Sequence, residues 1–194
     1  MEAIETIQID GATINIYPDE DTVDPRKDFD HMGTMVCWHG RYRLGDKNPF
    51  RTPDDFNDYR KANKLPVCLP LYLMDHSGLS MSTGSFRDQW DSGQVGWIYL
   101  TREKLLSEYS VKRATKAAIE KATKYLQGEV EEYDQYLTGQ VYGYVIRYVD
   151  SDEEDSCWGF YGLDCVKAEA LSEAQVGVAF HRQQDQNAQR ENAI

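Results

Sequence analysis

Eight apolar side chains, Val111, Ala114, Ala118, Ala122, Leu126, Val130, Tyr133 and Leu137, recur at steps of three and four residues. That period sets them on one stripe of a single long helix. Ser110 stands before the stripe as an N-cap, since its hydroxyl can accept from the first unpaired amides. Gly139 stands after it as the residue that turns left-handed without strain. Gly128 does not break the period. A helix this long with one apolar face needs a broad apolar surface to cover it, which a sheet supplies.

Ile4, Ile7 and Ile9, then Ala12, Ile14 and Ile16, flank Asp10-Gly11, the pattern of two strands joined by a tight turn. Gly33 to Trp38 reads as a strand. Val67 to Met74 is apolar but holds Pro70, which donates no ladder bond and predicts an edge strand or a bulge. Val95 to Leu100, apolar on both faces, and Val141 to Val149, with clean alternation, predict interior strands, and Cys157 to Phe160 predicts a returning partner for the second. Thr52-Pro53-Asp54-Asp55 opens a helix over 53–62 with a cap, an N1 proline and early acids. A short helix is expected over 102–109, and Val166, Ala170, Leu171, Ala174 and Val178 mark a last one. Residues 18–31 read as an acidic loop in which Pro18 and Pro25 discourage regular structure. The expected class is α+β, an antiparallel or mixed sheet from segments near 4–17, 33–38, 67–74, 95–100, 141–149 and 157–160, covered by the helix at 110–138 and the shorter C-terminal helix.

At 194 residues and 41% hydrophobic content, the chain predicts one globular domain over 1–181, with a disordered tail over 182–194 rich in Gln and Asn. The 33 acidic residues against 21 basic ones give a formal charge of −12. Such a molecule repels nucleic-acid phosphates and anionic membranes and favours a basic protein or nucleoprotein partner. Cys37, Cys68, Cys157 and Cys165 show no C-x-x-C spacing and read as reduced core residues. With no signal-peptide pattern at Met1 and no apolar run of about 18 residues, a cytoplasmic location is expected. Trp38, Trp90, Trp97 and Trp158 and the Tyr142/Tyr144/Tyr148 face read as core packing.

Asp75-His76-Ser77 sets an acid, a base and a hydroxyl side by side, yet neighbours in extended chain face opposite ways, unlike a triad assembled in space. A turn in which Asp75 accepts from nearby amides is the first reading. An active or ligand-binding loop over 75–93, using Asp75, His76, Asp88 and Asp91, is the alternative. Met81-Ser82-Thr83-Gly84-Ser85 lacks the order of a phosphate-binding loop. His31, His39, His76 and His181 lack zinc spacing, and Asp150, Asp152 and Glu154 lack the glycine of a calcium loop, so no metal or cofactor is expected. Residues 129–155 hold nine acids, Glu129, Glu131, Glu132, Asp134, Asp150, Asp152, Glu153, Glu154 and Asp155, against the one base Arg147. If the long helix packs on the following strand, these carboxylates meet at one end of the molecule and imitate the charge of a phosphate backbone.

Three stretches carry a resemblance: Asp75-His76-Ser77-Gly78 through Trp90-Asp91-Ser92-Gly93-Gln94-Val95-Gly96-Trp97, then Glu129-Val130-Glu131-Glu132-Tyr133-Asp134-Gln135-Tyr136-Leu137-Thr138-Gly139, and Asp155-Ser156-Cys157-Trp158-Gly159-Phe160-Tyr161-Gly162. Together they resemble a family of acidic proteins carried by bacteriophages and other mobile elements, over roughly residues 33 to 166. The resemblance implies a mobile-element origin and brings no reaction with it. Joined to the carboxylate array, it implies a host-interaction role of the antirestriction or anti-CRISPR type, with the nine acids as the partner-binding surface and no catalytic residues.

Overall fold

A computed structural model describes residues 2–88, 90–149 and 151–191. The chain divides into two compact units, one formed by the chain up to Thr22 and from Gly139 onward, the other by Val23–Thr138. The fold class is α+β, but the expected single sheet is two antiparallel sheets of four strands, one in each unit.

In the first unit β1 (Glu5–Ile9) and β2 (Ala12–Pro18) form the hairpin read from the sequence, with Gly11 at φ +98° in the turn. β7 (Val141–Tyr148) pairs with β2, and β8 (Glu154–Tyr161) pairs with β7, giving the order β1-β2-β7-β8. β7 is interior, as its alternation requires. Tyr144, Ile146 and Tyr148 on β7 and Ile14 and Ile16 on β2 are buried against α5 (Leu163–Glu191), which contributes Val166, Ala170, Ala174 and Val178. These four stand every fourth residue, and the two alanines let the helix lie close to the sheet. α5 continues where a disordered tail was expected from Arg182, because the Gln, Ala, Arg and Glu residues there are good helix formers. Residues 192–194 lie outside the described part.

In the second unit the order is β3-β6-β4-β5, from β3 (Thr34–Cys37), β4 (Val67–Asp75), β5 (Leu79–Ser82) and β6 (Ser92–Leu100). Pro70 is tolerated inside this sheet because β5 pairs only with Tyr72–Asp75, which leaves the β4 edge at Pro70 without a neighbour, and a bulge follows at Leu71/Tyr72. The sheet has two covered faces. α4 (Lys116–Leu137) lays Ala122, Leu126, Val130 and Tyr133 against Leu71, Leu73, Ile98 and Leu100. On the other face α2 (Pro53–Asn63), held by the Thr52/Asp55 capping box, buries Phe56 among Trp38, Phe50, Trp97 and Tyr99. The Phe56 and Trp97 ring centroids are 5.1 Å apart, within the range of favourable aromatic pairs.

Three local readings are corrected. α4 begins at Lys116, not near 110: Thr115 is its N-cap, its hydroxyl accepting from the Ala118 amide at 3.2 Å, while Ser110 lies beyond the end of α3 (Arg102–Glu108) at φ +50°. Pro25 starts a helical turn, α1 (Pro25–Asp28), because it occupies N1 and Asp24 caps it. Cys157 and Cys165 are exposed, and among the tryptophans Trp90 is 96% exposed and Trp158 43%. A core explains Trp38 and Trp97 but not those two.

Gly96, opposite Cys37 of β3, has no room for a side chain: a Cβ there would lie 2.0 Å from the Val36 carbonyl oxygen. Nothing lies within 4 Å of a Cβ placed at Gly128, in α4. Gly96→Ala is expected to destabilise the fold by at least about 1–3 kcal/mol, the usual range for overpacking, since the obstacle is backbone. Gly128→Ala is expected to stabilise it by roughly 0.5–1 kcal/mol through helix propensity. Denaturant unfolding of the two variants checks both signs.

Candidate functional site

The nine carboxylates are divided between the two units. Four lie on α4 in the second unit, while Asp152, Glu153, Glu154 and Asp155 lie at the β7–β8 hairpin in the first. Asp150 lies outside the described residues.

Glu129 is not a surface residue: it is buried and forms an ion pair with Arg26, whose side chain is 0% exposed. One Glu129 carboxylate oxygen accepts the Met32 amide at 2.7 Å, and the other accepts from Arg26 Nη1 and the Gly33 amide, both at 3.1 Å. Arg26 also donates Nε and Nη2 to the two oxygens of Asp46 at 2.9 and 2.5 Å, and Nη2 donates to the Gly33 carbonyl at 2.8 Å. Position 129 falls three residues after Leu126 and four before Tyr133, so the helical period itself turns Glu129 inward. That spacing was the signal available in the sequence.

Asp134 is half-buried and accepts the Met81 amide at 2.7 Å, which fastens α4 to β5. Glu131 is exposed. Glu132 is half-buried, and burial raises its carboxyl above the ordinary range, with His31 and Arg26 offsetting part of that and Glu129 adding to it. Of the four acids on α4, only Glu131 is exposed.

The hairpin differs. Asp152, Glu153, Glu154 and Asp155 are all exposed, and β8 is the outermost strand of its sheet. Glu154 and Asp155 belong to β8 itself, although the sequence places them in the turn. Glu154 meets Arg147 at 3.2 Å in an exposed pair, and His181 Nε2 lies 3.7 Å from Glu153. The Tyr148 hydroxyl donates to Asp155 at 2.5 Å. Burial first, then that bond, raises the Tyr148 phenol above its usual range.

The 75–93 segment is the hairpin of β4 and β5 followed by the approach to β6. His76 Nδ1 is 2.6 Å from Asp91 Oδ2, with the imidazole 68% exposed. The Asp75 carboxylate pairs with Arg41 and does not cap a turn, and the Asp75 amide donates to the Asp91 carbonyl at 2.8 Å. Asp88 is turned to its own loop, accepting the Trp90 amide at 2.9 Å. The structure thus joins His76 to Asp91 and leaves Asp88 in a local turn.

Sequence reasoning missed the cleft of ≈ 950 Å³ beside β3. Trp38, His39, Tyr42, Arg43, Lys47 and Phe50 contribute to its lining, with Arg26, Lys27, Cys37 and Asp46 among the others. His39 stacks on Tyr42 at 5.1 Å between centroids, and the Arg41 guanidinium lies 5.3 Å from the same ring. Burial pushes the Cys37 thiol up to about 12, so it stays protonated and unreactive at neutral pH. The available signal was the run from Arg41 to Arg51, which holds Arg41, Arg43, Lys47 and Arg51 against Asp46 alone in an acidic chain.

No family model, no curated protein and no solved structure matches this chain. Among the described residues no helix is long and apolar enough to cross a membrane, and no group of three His, Cys, Asp or Glu side chains is placed to hold a metal ion.

Glu129 and Glu132 are adjacent on α4 and are expected to respond oppositely to neutralisation. Glu129→Gln leaves the buried Arg26 paired with Asp46 alone and strips the charge from the acceptor of the Met32 and Gly33 amides, which should cost about 1–3 kcal/mol. Glu132→Gln removes a charge that the fold disfavours. Its raised carboxyl means that the folded state loses stability as pH rises from the ordinary carboxylate range through the folded value. The variant should therefore melt higher than wild type at neutral pH, with the difference vanishing below about pH 4, where the carboxyl is protonated in both states. Thermal melts across pH check it.

Proposed function

We propose that this protein is an accessory inhibitor of a mobile element that docks a basic, nucleic-acid-handling host defence protein, of the antirestriction or anti-CRISPR type, through the carboxylates of the β7–β8 hairpin. The observation that carries the reading is the consecutive exposure of Asp152, Glu153, Glu154 and Asp155 across the β7–β8 turn and the start of the outermost strand. Their neighbours do not neutralise them: Arg147 is itself exposed, and solvent-screened surface pairs contribute little. A groove of Lys and Arg built for phosphates responds to the density of negative charge, whichever atoms carry it. The −12 charge of the whole chain supports approach to such a groove and opposes direct binding of nucleic acid. The resemblance to acidic mobile-element proteins supports the same role. Glu129 and Asp134 belong to the fold, and the interface is read without them.

The combined substitution Asp152→Asn, Glu153→Gln and Glu154→Gln leaves Asp155 on Tyr148 and touches only exposed side chains. It is expected to keep the wild-type melting temperature and to lose protection of incoming phage or plasmid DNA in hosts carrying the sensitive defence system. Binding of the wild type should weaken with salt, since exposed charges are screened over about 10 Å at 0.1 M. Equal protection by the neutralised protein would sink the proposal.

One observation favours a second reading, a small-molecule or nucleotide-processing enzyme: the His76–Asp91 bond has the form of a base oriented by a carboxylate. His76→Ala separates the two. On the first reading stability shifts by no more than about ±0.5 kcal/mol and protection is intact. Loss of protection with melting temperature and partner binding unchanged would favour chemistry at His76, where a general base is worth roughly 10²–10⁴ in rate.

A further inference from the structure

The cleft beside β3 runs against the charge of the rest of the chain. Four cations line it, Arg26, Lys27, Arg43 and Lys47, against the single carboxylate Asp46. That carboxylate is fully committed: Arg26 takes both of its oxygens, and the Met35 amide donates to one of them at 2.7 Å. Lys27 is occupied by Asp24 at 2.6 Å. Arg43 and Lys47 are exposed and form no ion pair among the described residues, so their charge is uncommitted.

Beside these two cations stand aromatic surfaces. Tyr42 is exposed and stacked with His39, while Phe50 and Trp38 are half-buried in the wall. Trp38 is fixed in that wall by packing against Phe56 and Trp97. The volume, ≈ 950 Å³, lies at the upper end of small-molecule sites. We infer that this cleft binds a small anionic aromatic ligand of the mononucleotide class, with Arg43 and Lys47 holding the phosphates and the Tyr42, Trp38 and Phe50 surfaces receiving the base.

The cations need an anion, and planar delocalised Arg with point-charged Lys is a combination suited to phosphate oxygens. The aromatic wall favours a ring on the other end of the same molecule. A cationic ligand has no free carboxylate in the lining to meet it. A long nucleic-acid strand would bring many phosphates against a chain of formal charge −12, whereas a mononucleotide brings only the few that the cleft accommodates.

Isothermal titration of the full chain with ADP, GDP, CDP and UDP, and separately with pyrophosphate, adenosine and a single-stranded oligonucleotide, tests the site. At least one nucleoside diphosphate should bind with a dissociation constant below about 1 mM, and pyrophosphate and the nucleoside should each bind roughly tenfold or more weakly. Arg43→Ala combined with Lys47→Ala should lower the affinity roughly tenfold or more with no change in melting temperature, because both side chains are exposed and outside the core. The inference is overturned if no nucleotide binds, if the double variant binds as well as wild type, if pyrophosphate binds as tightly as the nucleotides, or if the oligonucleotide binds more tightly through the same two residues.

Discussion

The unit Val23–Thr138 is organised around one buried guanidinium. Arg26 comes from α1, Glu129 from the middle of α4, Asp46 from the loop after β3, and the Gly33 carbonyl from the residue that leads into β3. Two carboxylates face one cation, and the amides of Met32, Gly33 and Met35 donate to those same carboxylates. Buried ions are tolerated only when every donor and acceptor is satisfied in this way. The cluster therefore specifies where α1, the start of β3 and α4 meet, which apolar contacts alone would leave open to sliding. The cleft depends on it too, since Arg26 and Asp46 form part of its wall.

The acidity of the chain has at least three physical meanings, which net charge cannot separate. Glu129 and Asp134 are structural acceptors for buried or half-buried backbone amides. Asp24, Asp55 and Asp88 close caps and turns by accepting backbone amides two or three residues away. Asp152 to Asp155 are a third kind, solvated in the β7–β8 turn and at the start of the outermost strand, where carboxylates also discourage pairing with stray strands. Only solvated charge such as this is available to a partner.

Several elements were legible in the residues because their cause is local. The Asp10–Gly11 turn needs a glycine at positive φ, the Thr52/Asp55 box needs two side chains within one turn, and Gly139 at φ +70° ends α4 as its lack of Cβ allows. The interior position of β7 followed from its alternation. The start of α4 was misread because Val111 and Ala114 keep the helical period by chance, while the caps compete locally and Thr115 prevails over Ser110. Of the candidate site, the exposed acids of the hairpin could be named from the sequence, as could the loop of His76, although not its bond to Asp91 fifteen residues away.

What the sequence by itself determined was the class, most of the individual elements and the sign of the charge, since periods, caps and composition act over a few residues. The tertiary structure decided how eight strands, β5 beyond the expected segments, became two sheets, which acids were buried, and that Arg43, Lys47 and Tyr42 share a cleft wall with Trp38. Those outcomes rest on contacts such as Arg26 to Glu129, 103 residues apart, and no local pattern encodes a partner at that separation.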